Sequence, residues 1–258
     1  MIMKDAFSLA GRTALVTGGT RGIGRMIAQG FLEQGAKVYV SGRKPEQAEA
    51  AAGELSGFGE CHALAVNASG ADGSRQLAEA YLAKESSLDI LVHNAGAAWG
   101  APFAEFPENG WDKVMDLNVK TPFFLTQALY EALKVNARPD NLSKVIMVSS
   151  VDGFFVNPLN ESYSYHASKA GVSHLAKRMA MRLIQDHIVV STINPGAFPT
   201  DMNQAARDNP DGWTSHIPAQ RVGQPLDMAA AAVYLASRAG DYVVGSALTV
   251  DGGVSWGF

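Results

Sequence analysis

The sequence alternates short apolar runs with stretches that repeat apolar residues at helical spacing. Patterns typical of a helix, such as Gly24–Gln34 and Pro45–Leu55, separate the apolar runs. Strands that are apolar throughout are typical of a parallel sheet covered by helices on both faces. The alternation predicts an α/β fold of Rossmann type, doubly wound, with about seven parallel strands. The predicted strands are Arg12–Thr17, Lys37–Ser41, Cys61–Val66, Leu88–His93, Lys144–Val148, Ile188–Ile193 and Leu248–Val250.

No Pro/Gly/Ser-rich linker and no shift of composition divides the chain. Its 258 residues are 47% hydrophobic and 18% charged, which is ordinary globular composition. We therefore predict one domain over residues 1–258. The stretch 199–218 is rich in Asp, Asn, Gly and Pro, and we expect it to form a mobile lid that orders when ligand binds.

Charge and cysteine content exclude several classes of function. The net charge of -4, without a basic block, argues against nucleic acid as a partner. We expect no membrane span, because no run of about 18 apolar residues occurs, and the N-terminal residues lack a secretory signal. A single cysteine, Cys61, fits a reducing compartment, which predicts the cytoplasm. The histidines lack metal-ligand spacing, so no catalytic metal is expected.

A glycine cluster follows the first predicted strand. Gly18, Gly22 and Gly24 are spaced G-x-x-x-G-x-G at a turn from strand to helix. Such a turn brings backbone close to a phosphate and points a helix N-terminus at it. A turn without a ligand would also use glycines, but the position after the first strand favours dinucleotide binding, with Thr20, Arg21 and Ile23 in the same loop.

The end of the second strand indicates which dinucleotide binds. An acidic residue there would bind the ribose of NAD, whereas arginine accommodates the 2′-phosphate of NADP. The segment after this strand holds Arg43 and Lys44 and no acid, and Arg21 can reach the same region. We predict NADP(H) rather than NAD(H). The alternative is a solvated basic pair at the start of a helix.

Two tyrosines precede a lysine in the stretch ESYSYHASKAG. Tyr165 and Lys169 are four residues apart and share one face of a helix, whereas Tyr163 falls on a different side. A neighbouring ammonium would lower the pKa of a tyrosine from about 10. We therefore expect Tyr165 to act as general acid or base, with Lys169 lowering its pKa. Tyr163 is predicted to be a pocket or packing residue.

Further polar residues stand where strands end, which is where parallel α/β sheets bind ligands. Ser150 ends the fifth strand and can hydrogen-bond a substrate carbonyl, with Ser149 as the alternative. Asn118 lies inside the next helical pattern after the fourth strand, where asparagine is a mediocre helix former. No Gly-x-Ser-x-Gly motif stands as an elbow between a predicted strand and a predicted helix, so a serine hydrolase is not predicted.

Together these features resemble the short-chain dehydrogenase/reductase family in its single-domain form. The resemblance is greatest to NADPH-dependent 3-oxoacyl reductases and the related reductase linked to rhamnolipid synthesis. It covers nearly the whole chain and rests on TGGTRGIG, HNAG, Asn118, Ser150, YHASK, Asn194-Pro195-Gly196 and Val250-Asp251-Gly252-Gly253.

The resemblance implies a role for each matched residue. Tyr165 would exchange the proton with the substrate oxygen, Ser150 would polarise the carbonyl, and Lys169 would bind the nicotinamide ribose and lower the Tyr165 pKa. Asn118 would hold a water of the proton relay. The resemblance also implies a homotetramer. The residues implied to contact cofactor are Gly18, Thr20, Arg21, Gly22, Ile23, Gly24, Arg43, Asn67, Asn94, Ala95, Gly96, Tyr165, Lys169, Pro195, Gly196, Phe198 and Thr200.

Three positions depart from the family's pattern. His93 stands where the family usually has asparagine, and a buried, hydrogen-bonded histidine explains it. Asn67 replaces the usual acid near the adenine, which an amide can still contact. Tyr165 follows Ser150 by 15 positions, about two more than the usual spacing.

The segments expected to surround a substrate are apolar and aromatic, which favours an apolar ketone over a polyol. We therefore expect an NADPH-dependent carbonyl reductase. The alternatives are a dehydrogenase of a sugar or polyol alcohol, and a non-catalytic nucleotide sensor on the same fold. The residues predicted to line the pocket are Trp99, Phe103, Phe154, Phe155, Val156, Tyr163, Phe198, Met202, Trp213 and Ile217.

Overall fold

The computed structural model describes residues 3–156 and 161–256. All seven strands belong to one parallel sheet in the order β3-β2-β1-β4-β5-β6-β7. The strands are β1 Thr13–Thr17, β2 Lys37–Gly42, β3 Cys61–Ala65, β4 Ile90–His93, β5 Ser143–Val148, β6 Ile188–Pro195 and β7 Ala247–Val250.

Helices connect the strands and cover both faces of the sheet, as right-handed crossovers between parallel strands require. Between α4 and α5 the chain makes a π-helical turn at Asp116–Lys120. The helices are α1 Gly22–Glu33, α2 Pro45–Leu55, α3 Gly70–Leu82, α4 Glu108–Met115, α5 Thr121–Ala128, α6 Tyr130–Lys134, α7 Tyr163–Leu183, α8 Gln204–Asp208, α9 Pro210–Thr214 and α10 Pro225–Ala236.

Two apolar cores lie on opposite faces of the sheet. On one face Ile27 and Phe31 of α1 pack with Met228 of α10, and all three are fully buried. On the other face Leu125 of α5 and Val172 of α7 belong to the second core. Since successive strand residues point to opposite faces, the continuous apolar strands supply both cores.

The structure confirms the predicted doubly wound α/β fold, and the predicted strands match to within two residues at each end. The strand order reverses between β1 and β4. Ligands of such sheets bind beyond the carboxyl ends of the strands at this switch point. In residues 3–156 and 161–256, no helix is both long and apolar enough to span a bilayer.

The segment 199–218 holds two short helices, α8 and α9. It packs through a small apolar cluster of its own, formed by Ala197, Ala206 and Ile217. Thr200 and Asn203 form an isolated bridge at its start. The segment therefore has few apolar contacts with the main cores.

Candidate active site

The glycine-rich turn joins β1 to α1 in the geometry that the sequence predicts. Gly18 and Gly22 have φ of 63° and 53°, a left-handed conformation that favours glycine. A Cβ at Gly24 would lie 2.4 Å from the carbonyl oxygen of Gly18. α1 begins at Gly22 without an acidic residue in its first turn. The turn therefore leaves a cradle of exposed backbone at a helix N-terminus, which suits the pyrophosphate of a dinucleotide.

Asn94 holds this turn in place from the end of β4. Its side-chain Nδ2 donates to the carbonyl oxygens of Thr17 at 2.9 Å and Gly18 at 3.1 Å. The Thr17 hydroxyl in turn accepts from the backbone N–H of Asn94 and Ala95. Asn94 thus contributes to the candidate cofactor cleft by fixing the loop, while the Ala95 and Gly96 backbone lies along it.

The predicted phosphate-binding arginines are exposed at the same end of the sheet. Arg43 follows β2 directly and is exposed. Arg21 Nη1 forms an ion pair with Asp201 Oδ2 at 2.9 Å. Thr20 contacts Gly42, since a Cβ there would lie 2.8 Å from the Thr20 Cγ2. Asn67 follows β3 and is exposed, so these residues form one rim.

The start of α7 brings Tyr165 and Lys169 together on one helix face. Lys169 Nζ lies 5.4 Å from the centroid of the Tyr165 ring. It donates to the carbonyl oxygen of Val148 at 2.9 Å, at the end of β5. The Ser150 hydroxyl hydrogen-bonds with Tyr165 and lowers its pKa. Three of the predicted catalytic side chains therefore converge at the ends of β5 and α7.

The expectation that Lys169 lowers the pKa of Tyr165 is wrong for this arrangement. Burial, followed by the charge of Asp152, raises the pKa of Tyr165 to about 12. Burial lowers the pKa of Lys169 to about 8. The physical reason is that both groups are removed from water, which disfavours their charged forms. Tyr165 is thus held firmly as the neutral phenol.

Ser150 and Ser149 have different surroundings. The Ser149 hydroxyl donates to the Lys169 carbonyl oxygen at 2.8 Å and accepts from Ser173 at 2.9 Å, so it ties β5 to α7. Ser150 instead faces Tyr165. The geometry favours Ser150 over the alternative.

Asn118 lies in the π-helical turn rather than in a regular helix. Its Oδ1 accepts from the backbone N–H of Ala97 at 2.8 Å, and its Nδ2 donates to the Ala97 carbonyl at 2.9 Å and the Ser168 hydroxyl at 2.9 Å. A Cβ at Gly96 would lie 3.4 Å from Asn118 Oδ1 and 3.8 Å from Lys169 Nζ. Single π turns are frequent at functional sites, and this one brings Asn118 beside Lys169.

The end of β6 supplies the remaining wall of the cleft. Gly196 donates its N–H to the Val250 carbonyl at 3.0 Å and packs against Asp251, where a Cβ would lie 2.6 Å from the Asp251 Cβ. Thr200 contacts the glycine-rich turn, because a Cβ at Gly22 would lie 3.3 Å from its Cγ2. The Phe198 side chain is buried in the core against Gly223, so Pro195 and the backbone after it form this wall.

An apolar cavity of about 710 Å³ is lined by Tyr163 and His166, which stand on either side of Tyr165 in the sequence of α7. Of the predicted pocket residues, Phe103, Val156 and Tyr163 line it. The Tyr163 ring packs edge-on against Phe103 and Phe106 with centroids 5.6 and 5.7 Å away. Its walls are Phe103, Phe106, Pro107, Glu108, Trp111, Val156, Tyr163 and His166.

The other predicted pocket residues lie apart from this cavity. Trp99 packs against Gly110, and Phe154 is half exposed with its ring 6.4 Å from that of Trp256. Phe155 is partly buried beside Phe154, and Met202 is exposed. The side chain of Trp213 lies outside what the structure describes. Aromatic composition predicted an apolar cavity but mistook most of its walls.

His93 is buried at the end of β4 and bonds to Thr126 at 2.8 Å. Because the Thr126 hydroxyl donates to the Pro122 carbonyl, it accepts the His93 Nε2 proton. Burial lowers the pKa of His93 to about 3, so the imidazole is neutral. The structure thus confirms the expectation of a buried, hydrogen-bonded histidine.

Sequence reasoning missed Asp152 and His166. Asp152 lies two residues after Ser150, and its carboxylate is 3.3 Å from the Ser150 hydroxyl. His166 follows Tyr165 and places Nε2 3.8 Å from the Asp152 carboxylate. The available signal was that one ionisable residue lies close in sequence to Ser150 and another to Tyr165. Over the described ranges, no cluster of His, Cys, Asp and Glu is arranged to hold a metal ion.

Comparison with known proteins finds matches over nearly the whole chain. Residues 18–255 match the family described as Enoyl-(Acyl carrier protein) reductase. The chain is 43% identical over 255 residues to the rhamnolipids biosynthesis 3-oxoacyl-[acyl-carrier-protein] reductase of Pseudomonas aeruginosa, covering 97% of this chain and 99% of that protein. It is 35% identical to the gluconate 5-dehydrogenase of Gluconobacter oxydans, covering 99% of each.

A solved structure is also similar to this chain over nearly its whole length. The Pseudomonas aeruginosa RhlG/NADP active-site complex superimposes with a TM-score of 0.94 at 42% identity, covering 97% of this chain and 99% of that chain. The similarity therefore includes the sheet, the glycine-rich turn and the start of α7.

Proposed function

The chain belongs to the short-chain dehydrogenase/reductase family of oxidoreductases, and we propose that it reduces the ketone of a 3-oxoacyl thioester, or a similar apolar ketone, with NADPH. The observation that carries this proposal is the convergence of Ser150, Tyr165 and Lys169, with Tyr165 held as a neutral phenol. A phenol that keeps its proton is the form that can donate it to a developing alkoxide.

The cofactor cleft fits NADPH at both of its ends. The Gly18–Gly24 turn offers backbone N–H groups and a helix N-terminus to the pyrophosphate, and Arg21 and Arg43 provide positive charge for a 2′-phosphate. Asn67 lies where the adenine would bind. Lys169 would bind the nicotinamide ribose, beside the wall formed by Ala95, Gly96, Pro195, Gly196 and Thr200, with Phe198 packed behind it. NADPH supplies the hydride when bound.

The protein's own residues handle the substrate oxygen and its proton. The Ser150 hydroxyl donates a hydrogen bond to the ketone oxygen, which polarises the carbonyl. Tyr165 then delivers its proton to that oxygen as negative charge develops there. Asn118 hydrogen-bonds to the Ala97 backbone after β4 and to Ser168 of α7. We assign to it a water that would return the proton to Tyr165.

The neighbouring apolar cavity supports an acyl or other apolar substituent on the ketone. His166, one of its lining residues, follows Tyr165 in α7 and places Nε2 3.8 Å from the Asp152 carboxylate, which supports this assignment. Aromatic side chains dominate its walls, and few polar groups could replace the hydration of a polyol. We assign the segment 199–218 as a lid that closes when ligand binds.

We further propose a cytoplasmic homotetramer. The single cysteine, Cys61, is free and buried, which suits a reducing compartment. α5, which follows the π turn carrying Asn118, and α7, which carries Tyr165, present the large apolar side chains of Phe123 and Met181 at the surface. The exposed Trp256 would be covered by a neighbouring subunit, and Phe258 lies outside the described residues. Light scattering of the purified protein would measure the assembly.

A substrate screen tests the reaction. NADPH oxidation is followed with 3-oxoacyl thioesters, diketones, quinones and keto-sugars under one set of conditions. We expect the highest kcat/KM with 3-oxoacyl thioesters or apolar diketones. Activity on keto-sugars alone would support the alternative, a sugar or polyol dehydrogenase. The similarity to a gluconate 5-dehydrogenase is the observation that favours this alternative.

A further inference from the structure

A carboxylate lies directly behind the Ser150 hydroxyl. The backbone N–H of Asp152 donates to the Ser150 Oγ at 3.1 Å, and the Ser150 hydroxyl can donate its single proton to Asp152 Oδ2 at 3.3 Å until a ketone oxygen accepts that proton instead. These contacts come from the tight turn Val151–Gly153, which follows β5 and packs against α7. Asp152 is thus held against the catalytic serine by the backbone as well as by its side chain.

His166 faces the same carboxylate from α7. Its Nδ1 lies 3.0 Å from the Ser162 carbonyl oxygen, to which it can donate, and 3.3 Å from the Ser162 hydroxyl, from which it can accept. The Nε2 atom points towards Asp152 Oδ1 at 3.8 Å, is buried, and has no hydrogen-bond partner among the described residues. His166 therefore closes the far side of the carboxylate.

Over residues 3–156 and 161–256, the ionisable groups that interact with Asp152 come from α7 and are Tyr165, His166 and Lys169. β6, which also packs against the turn, contributes no ionisable side chain. Burial raises the pKa of Asp152, which the charges of His166 and Lys169 and the Ser150 hydrogen bond partly offset. When ionised, Asp152 raises the pKa of Tyr165, because a second negative charge nearby would repel the phenolate.

We propose that Asp152 is a positioning residue which acts on Tyr165, through Ser150 and through its own charge, to keep the phenol protonated and so favour ketone reduction. The inference rests on the proposed reductase function. In reduction, Tyr165 gives its proton to the ketone oxygen while the carbonyl carbon gains the hydride, which leaves an alcohol, NADP⁺ and a phenolate. In oxidation, the phenolate must instead be present at the start to take the alcohol proton.

The consequence is a difference in pH dependence between the two directions. With Asp152 ionised, the phenolate forms only at high pH, so oxidation is confined to alkaline solution. Reduction keeps its proton donor across the neutral range. The overall equilibrium between ketone and alcohol is unchanged, since no residue of a catalyst can alter it.

The test uses Asp152→Asn and Asp152→Ala. Both remove the charge, whereas only the first keeps a side chain of similar shape. Oxidation of a 3-hydroxybutyryl thioester with NADP⁺ is measured as kcat/KM from pH 6 to 11, and reduction of acetoacetyl thioester with NADPH in parallel. Asp72→Asn, which alters an exposed carboxylate on α3, is the matched control.

We expect the rise of the oxidation profile to move to lower pH by roughly one unit in both Asp152 variants, as the loss of a neighbouring like charge requires. The decline of reduction at high pH should move in the same direction, and Asp72→Asn should follow the wild type. The inference is overturned if both Asp152 variants show the pH profiles of the wild type, or if the substitutions change KM alone. If the wild type reduces no 3-oxoacyl thioester, the proposed function fails first and this inference falls with it.

Discussion

Arg21 Nη1 and Asp201 Oδ2 form an ion pair of 2.9 Å that joins the glycine-rich turn to the segment after β6. Asp201 Oδ1 also binds Arg207 of α8 at 2.6 Å. The guanidinium that we assign to the 2′-phosphate of NADPH therefore already has a carboxylate partner. A phosphate that binds there must compete with Asp201, and Asp201 links the cofactor rim to the proposed lid.

Replacement of Asp201 by asparagine is expected to tighten NADPH binding. An exposed ion pair contributes about 0.2–1 kcal/mol, so its removal should lower the Kd for NADPH by up to about fivefold. Fluorescence titration measures the Kd. NADH lacks the 2′-phosphate, and its Kd should stay unchanged. Asp211→Asn in the same segment is the control, and an equal effect of both variants on both cofactors would contradict the competition.

Replacement of Arg43 by serine is expected to weaken NADPH binding selectively. A hydrogen bond to a charged group contributes about 1.5–3 kcal/mol, which corresponds to roughly a 10- to 100-fold rise in Kd. NADH binding should hardly change, because Arg43 is exposed after β2 and is assigned to the 2′-phosphate alone, which NADH lacks. The neighbouring Lys44→Ser is the matched control. Equal losses for both cofactors would show that Arg43 stabilises the fold of the rim instead.

The two tyrosines at the start of α7 are expected to respond differently to loss of their hydroxyl groups. Tyr165→Phe removes the proton donor and should lower kcat for ketone reduction by about 10²- to 10⁴-fold. Tyr163→Phe should alter KM at most, because its hydroxyl bonds to Glu161 at 3.2 Å and its ring lines the apolar cavity. Steady-state kinetics with a 3-oxoacyl thioester measures both.

Cofactor affinity provides the control for this pair. Both variants should bind NADPH as the wild type does, because neither hydroxyl is assigned to the phosphate or adenine ends of the cleft. Similar losses of kcat in the two variants would place the proton donor elsewhere. Full turnover by Tyr165→Phe with intact NADPH binding would instead support a role in nucleotide sensing.

His93 is expected to make the protein acid-sensitive. Its pKa is about 3 when folded and about 6.5 in the unfolded chain. Below pH 6.5 the unfolded chain therefore binds the extra proton, and the free energy of unfolding falls as the pH falls. Between pH 7 and pH 5 the loss is about 2 kcal/mol. Between the same two pH values, the free energy of unfolding of His93→Asn should fall by about 2 kcal/mol less than that of the wild type.

Denaturant unfolding at the two pH values and one protein concentration measures this difference. The comparison is between the pH-dependent losses of the two proteins, so a change in absolute stability from the substitution does not enter. His174→Asn, which alters a histidine of α7 instead of the β4 residue His93, is the control. If His93→Asn and the wild type lose the same free energy, His93 does not remain neutral in the folded protein.

Local sequence determined the fold and the identity of the converging residues. Continuous apolar strands require helices on both faces of the sheet, and the glycine spacing after β1 permits a backbone conformation that other residues disfavour. The four-residue interval from Tyr165 to Lys169 sets their common helix face. These features depend only on neighbouring residues, which is why they could be predicted.

Tertiary structure decided the electrostatics and the walls of the site. The pKa of Tyr165 rises because burial and the charge of Asp152 outweigh the hydrogen bond with Ser150, and none of these can be read from the interval between Tyr165 and Lys169. The π turn that carries Asn118, the Arg21–Asp201 ion pair and the cavity walls also join residues distant in sequence. Desolvation and contact depend on how the elements pack, and packing is a property of the whole fold.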